Sequence, residues 1–265
     1  MAAYTFSCVR DVQTPLRAGT AGIVTWSGAR VVSGHHEDLS PGISLYDLPH
    51  RIVFAGTYTA PWRHWSTMFS FSYVGESGSP FSYVAWGVGR RGDLNADGSN
   101  ANDPVYVPRS AFDTSEIRFS GLSESAGADN SPAAQADRVS RQQAAFEQFV
   151  EDTPCLRRQR GRILGRNSCR EPWSHTIIAS VRQAIPLAGR ALEAQLDLFN
   201  VLNLLNGAWG RYRVAAPRLL EHVGRTTGSP DAAQPIFRFD AAAPQWTTLQ
   251  TESAFQLQVA LHYRF

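Results

Sequence analysis

Asp93, Asn95 and Asp97, followed by Gly98 and later by Asp103, set hard oxygen donors at nearly alternate positions. That is the spacing of a calcium loop, in which a glycine at the sixth position allows the sharp turn. The twelfth position, where a bidentate carboxylate belongs, is Pro104, and Asp103 stands one residue early. Calcium is one reading of the loop 93–103. The other is an Asx-turn segment whose carboxylates bond their own backbone. No other cofactor is expected.

Cys155 and Cys169 flank a basic stretch holding Arg157, Arg158, Arg160, Arg162 and Arg166. On a cell exterior the two thiols would be free to oxidise, and closing a loop of about fifteen residues would contribute roughly 3 kcal/mol. Free thiols are the alternative, since zinc would want two more soft ligands and only His175 is near. Cys8 is left over and is expected on a strand face. The arginines invite a phosphate or nucleic-acid reading, but no aromatic residues interleave them, and Glu147, Glu151 and Asp152 precede them as natural partners. A solvated, internally paired loop is expected there, with no nucleic-acid partner. His35 and His36 beside Glu37 and Asp38 lack the i, i+4 spacing of a helical metal site.

Composition narrows the chemistry further. All 25 basic residues are arginine and there is no lysine, so Schiff-base and lysine-dependent phosphate chemistry are excluded. No Gly-x-Ser-x-Gly elbow occurs, and a non-enzymatic protein is expected. The net charge of +2 argues against a surface built wholly for nucleic acid. No run of 18 apolar residues occurs, and Met1 to Phe6 lacks the basic and apolar regions of a signal peptide.

The elements that would position these residues read as strands. From Ser253 to Phe265, Phe255, Leu257, Val259, Leu261, Tyr263 and Phe265 alternate with Gln256, Gln258, Ala260, His262 and Arg264. Similar alternation places six strands near 2–12, 48–60, 66–79, 172–185, 189–201 and 252–265. Short turns (Pro61 to Trp65, Pro186 to Gly189) alternate with long loops at 13–47, 80–171 and 202–250. Compact soluble domains seldom use connections of that length, whereas outer-membrane barrels use short turns on one side and long loops on the other. Within the longest loop, Pro132 to Asp152 reads as a helix with Ala145, Phe146, Phe149 and Val150 on one stripe, ended by Pro154. Trp62, Trp65, Tyr46, Trp173 and Tyr263 fall at strand ends, where headgroup-level aromatics belong.

Several ordered segments carry a family resemblance. Ser77-Gly78-Ser79-Pro80-Phe81-Ser82-Tyr83, Gly92-Asp93-Leu94-Asn95-Ala96-Asp97-Gly98 and Asn102-Asp103-Pro104-Val105-Tyr106-Val107-Pro108 are followed by the helix and Cys155. The Arg160-Gly161-Arg162 turn, Asn167-Ser168-Cys169-Arg170-Glu171-Pro172-Trp173, Asp197-Leu198-Phe199-Asn200-Val201-Leu202-Asn203 and an aromatic C-terminal strand complete the order. From about residue 45 onward the chain resembles the late barrel region of TonB-dependent outer-membrane receptors, in the Oar-like subgroup with a carboxypeptidase-regulatory-like leader. Such receptors are 22-stranded barrels around an N-terminal plug, so the resemblance implies about six strands of a larger barrel, with the plug and coupling box absent from this chain.

The expected fold class is therefore all-β: an antiparallel up-and-down transmembrane barrel segment with long outer loops and one short loop helix. Its implied function is a share in substrate uptake across the outer membrane. Implied partners are outer-membrane lipid, lipopolysaccharide, the transported substrate, and the TonB energy-coupling complex acting through a plug. The apolar set of the last strand is expected to face lipid, and Glu193, Gln195, Asp197, Gln256, Gln258 and Arg182 the lumen. The rival from another class is a soluble extracellular β-sandwich binding carbohydrate or protein with calcium. A secreted hydrolase is a third, disfavoured by the missing motifs.

Overall fold

The computed structural model describes residues 1–12, 40–62, 65–187, 190–228 and 233–264. Most of the long loop expected at 13–47, with His35 and His36, lies outside the described residues.

Six strands form one antiparallel sheet in chain order: Ala2–Phe6, His50–Pro61, Ser66–Glu76, Ser174–Leu187, Arg190–Phe199 and Gln256–Arg264. Each pairs with the next, and the register runs unbroken, from Ala2 opposite Phe54 through to Leu198 opposite Leu257. Period-2 alternation explains the arrangement. Once one side of a strand must avoid water, a one-residue slip would turn its whole apolar set to the wrong face, so register is strongly specified. Trp62 N–H donates to the Trp65 carbonyl at 2.8 Å, closing one short connection. The sheet stays open among the described residues, with Ala2–Phe6 and Gln256–Arg264 at its edges, and no closed barrel is formed.

The stretches 80–171 and 202–250, expected as loops, depart most from the reading of the sequence. Together they build a packed cap at the end of the sheet away from the short turns. Its centre is a four-stranded mixed sheet, Val84–Trp86, Arg218–Arg225, Pro235–Arg238 and Arg118–Phe119 in that order, whose two outer pairings are parallel. The buried apolar cluster lies here rather than in the six-stranded sheet, and includes Phe81, Tyr83, Val105, Leu164, Leu220 and Phe237. These strands run two to eight residues and are broken by Pro, Gly and Asn, so each is too short to show a period.

The helix Pro132–Asp152 covers one side of this core and, at 21 residues, is not short. The Ser131 hydroxyl accepts from Ala134 N–H and Pro132 opens the first turn, both ordinary starts for a helix. Phe146 and Val150 are fully buried. Phe146 meets Phe119 and Phe239 edge-on at 5.6 and 5.2 Å, and Phe149 meets Tyr83 at 5.6 Å. Short helical turns at Pro154–Arg157, Val201–Leu205 and Gln250–Ser253 were not anticipated.

Polar contacts tie the cap to the segments between the first two strands of the sheet. Arg170 pairs with the buried Asp47, and Arg166 reaches Asp11 Oδ1 at 2.7 Å. A Cβ at Gly78 would fall 1.9 Å from the Glu171 carbonyl oxygen, so only glycine fits that close approach.

Candidate functional site

Register assigns every residue of the six-stranded sheet to a face, because directly opposed residues share one side. One side carries Tyr58, Phe69, Val181, Leu196 and Val259 as a single cross-strand row, with Gly56, Phe71, Ala179, Leu198 and Leu257 as the next. The opposite side carries Ser70, Ser72, Thr176, Arg182, Gln195, Asp197, Gln258 and His262, interspersed with Val53, Met68, Val74 and Ile178. The apolar side is open: Tyr58 and Val259 are each 66% exposed and Leu261 is 70%. Six strands about 4.8 Å apart, apolar over about 30 Å, make a face on the order of 800 Å². Soluble monomers rarely expose contiguous apolar patches beyond a few hundred Å².

Aromatic rows bound that face at both ends. At the cap end a stack runs from Tyr4 to His50 (6.1 Å between centroids), His50 to Trp173 (6.0 Å), Trp173 to His175 (6.1 Å) and His175 to Tyr73 (6.1 Å). The phenol of Tyr4 bonds His50 Nδ1 at 2.8 Å, and that of Tyr73 bonds His175 Nδ1 at 2.9 Å. Sequence reading found Trp173 but missed both histidines as members. The available signal was that His50 and His175 each continue the apolar alternation of their strands. At the other end, Trp62 and Trp65 flank the short turn, and Trp62 Nε1 donates to Thr67 Oγ1 at 2.8 Å. Twelve residue steps separate His50 from Trp62. That is about 40 Å along a strand, or about 30 Å in height at the tilt of membrane barrels. Tyr46 lies off the sheet, in a turn at residues 45–46.

Asp93, Asn95, Asp97 and Asp103 come together in one loop of the cap. Asp93 accepts from the amides of Asp97 and Gly98, each at 3.0 Å. Asn95 Oδ1 accepts from Asp97 N at 3.1 Å, and Asp97 Oδ1 from Ser99 N at 2.8 Å. Ala96 and Gly98 take the left-handed conformation, at φ +63° and +88°. Asp103 is only 4% exposed. Its Oδ2 accepts from Leu94 N at 2.6 Å, while its Oδ1 is buried with no hydrogen-bond partner. Burial pushes the Asp103 carboxyl up to about 6; the Asp97 and Asp93 charges add to the rise, against the lowering effect of the Leu94 and Asn95 amides. Among the described residues, no three His, Cys, Asp or Glu side chains are placed to hold a metal ion. Leu94 and Asp103 also form part of the wall of a cavity of about 540 Å³ that Ala85, Val105, Leu220 and Phe237 line with apolar groups.

Cys155 and Cys169 are joined in a disulfide with Cα atoms 5.2 Å apart. It ties the turn after the long helix to the strand pair of Cys169–Arg170 with Pro80–Phe81. His175 belongs to the aromatic stack instead of any site with these sulfurs. Cys8 is exposed and lies outside the strands, contrary to the strand-face expectation. The arginine stretch is held by its acidic neighbours: Arg160 meets Glu147 at 2.8 Å and Glu151 at 3.4 Å, and Arg157 also meets Glu151 at 3.4 Å. Asp152 accepts from Gln148.

No protein-family model, curated protein or solved structure matches this chain.

Proposed function

We propose that the chain forms part of the wall and outer cap of an outer-membrane β-barrel receptor of the TonB-dependent kind. The observation that carries this reading is the exposed apolar face about 30 Å high, bounded by aromatic rows and backed by a face that holds most of the sheet's charged, amide and hydroxyl side chains. Hydrocarbon offers no partner for amide or guanidinium groups, so a sheet set in a bilayer must divide its side chains in this way. The rival β-sandwich would cover Tyr58, Phe71, Val259 and Leu261 with a second sheet; these residues are instead exposed. On the proposed reading the polar face, with Arg182, Gln195, Asp197 and Gln258, turns to the lumen. The cap then stands outside the membrane, where lipopolysaccharide and the transported substrate would meet it. Its role is binding and uptake rather than catalysis, and transport would be driven through a plug by the energy-coupling complex.

The test uses the intrinsic fluorescence of the full chain refolded with phospholipid vesicles. Lipids brominated along the acyl chain should quench tryptophan emission, with the strongest effect when bromine sits near the depth of Trp62, Trp65 and Trp173. A chain that stays monomeric in detergent-free buffer and shows no quenching would overturn the proposal.

A further inference from the structure

We propose that the cavity in the cap is a binding site for a small organic amine, an apolar ring system bearing one protonated amino group. The inference does not rest on the membrane reading, because the cavity lies within the cap whatever covers the sheet.

The floor of the cavity is preformed. Ala85, Leu220 and Phe237 come from three neighbouring strands of the four-stranded sheet, and Val105 and Ile117 close in beside them. All five are buried, none more than 9% exposed. Tyr106, Ser115, Glu116 and Ile163 are half-buried or exposed and mark the mouth, where Ile163 is 40% exposed. The volume of about 540 Å³ falls within the range of sites that enclose small molecules, mostly apolar with a few polar groups. Water finds few partners against such a wall, and apolar cavities of sufficient size take up a ring in its place. Space of this size takes a body of about two fused rings with a side arm, and no macromolecule.

Charge in the wall selects the head group. Asp103 and Glu116 are the charged residues of the lining, and no arginine joins them there among the described residues. Glu116 is already neutralised, by Arg109 at 2.5 Å. Asp103 is held instead by the amides of Leu94 and Asn95, at 2.6 and 3.4 Å, which are dipoles rather than a cation. At 4% exposure its charge is little screened by water. Such a charge acts through its field on whatever fills the adjoining space, whichever way its oxygens point. A bound ammonium would lower the cost of burying that carboxylate, whereas a bound carboxylate or phosphate would raise it. Apolar walls and a negative field together select an amine on an apolar body.

The experiment reads the mouth of the cavity in the full chain, in non-ionic detergent or in buffer. With Cys8→Ser in place and Cys155 bridged to Cys169, Ile163→Cys supplies the one reactive thiol. Its reaction with neutral methyl methanethiosulfonate is timed at neutral pH, above the Asp103 value of about 6. The probes are tryptamine and indole-3-acetate, alike in ring and opposite in charge. Tryptamine at about 5 mM should slow the reaction at least about threefold, as for a ligand of its size with a dissociation constant on the order of 1 mM. Indole-3-acetate should not slow it. A thiol introduced by Leu122→Cys, at an exposed cap position outside the cavity, should react at the same rate with or without tryptamine. Asp103→Asn should bring the protection by the two probes within about twofold of each other. Saturation-transfer NMR on the unmodified chain depends on no variant: the ring protons of tryptamine should receive magnetisation, and those of indole-3-acetate should not. Neither protection nor transfer with tryptamine, equal protection by indole-3-acetate, or a charge preference that Asp103→Asn leaves intact would overturn the proposal. Failure here would leave the lipid-quenching result untouched, and the reverse also holds.

Discussion

Replacing Val259 by arginine separates the membrane reading from the soluble one by its size. Val259 lies in the row with Tyr58, Phe69, Val181 and Leu196, four residues from Tyr263 in the direction away from the short turns. That is about 13 Å along the strand, or about 10 Å in height, which places it well inside the apolar band. In hydrocarbon an arginine at such depth costs roughly 2–4 kcal/mol, and with each 1.4 kcal/mol worth tenfold, the ratio of folded to unfolded chain falls roughly 30- to 700-fold. In water the same change, at a side chain already 66% exposed, should stay within about 0.5 kcal/mol. The control is Gln258→Arg on the other face. Gln258 lies directly opposite Asp197, so an arginine there gains an opposite-charge cross-strand pair of roughly 0.2–1 kcal/mol. The assay is urea titration of the chain folded in phospholipid vesicles, followed by tryptophan emission. Equal midpoints for the two variants, or a loss under 0.5 kcal/mol for Val259→Arg, would refute the assignment of faces.

Removing the disulfide by Cys155→Ala with Cys169→Ala should lower stability by roughly 3 kcal/mol, as expected for a closed loop of about fifteen residues; denaturation midpoints that do not respond to reductant would contradict this. Phe146→Ala leaves a void among Phe119, Phe239 and the helix, and should cost about 3–5 kcal/mol. Its loss should appear as collapse of the near-ultraviolet circular dichroism of the cap while the strand signal persists. Burial raises the Glu171 carboxyl above its usual 4.5, while the Ala215 amide works to lower it. The folded chain therefore holds that proton more tightly than the unfolded one. Its contribution to stability is fully present below about 4.5 and is lost as pH rises through the raised value. Glu171→Gln should flatten that part of the stability–pH curve, and an unchanged slope would show that another group is responsible.

The antiparallel β architecture was legible in the sequence, because alternation is a local property. Phe255 to Tyr263 declares its two faces within nine residues, and the short turns at 61–65 and 186–189 oblige their flanking strands to be neighbours. The helix was legible for the same reason, through the 3.6-residue spacing of Phe146, Phe149 and Val150 and the breaks at Pro132 and Pro154. The acidic loop was visible as a spacing, but the partnerless oxygen of Asp103 was not. Asp103 shares a cavity wall with Val105, Leu220 and Phe237, which arrive from three segments. The cap itself could not be read locally. Its strands are too short to show a period, and two of its pairings are parallel between segments more than a hundred residues apart, Val84–Trp86 with Arg218–Arg225 and Arg118–Phe119 with Pro235–Arg238. A segment's own pattern records which of its sides avoids water. Which distant segment covers that side depends on shape and on the closing of long loops, and only the folded chain decides it.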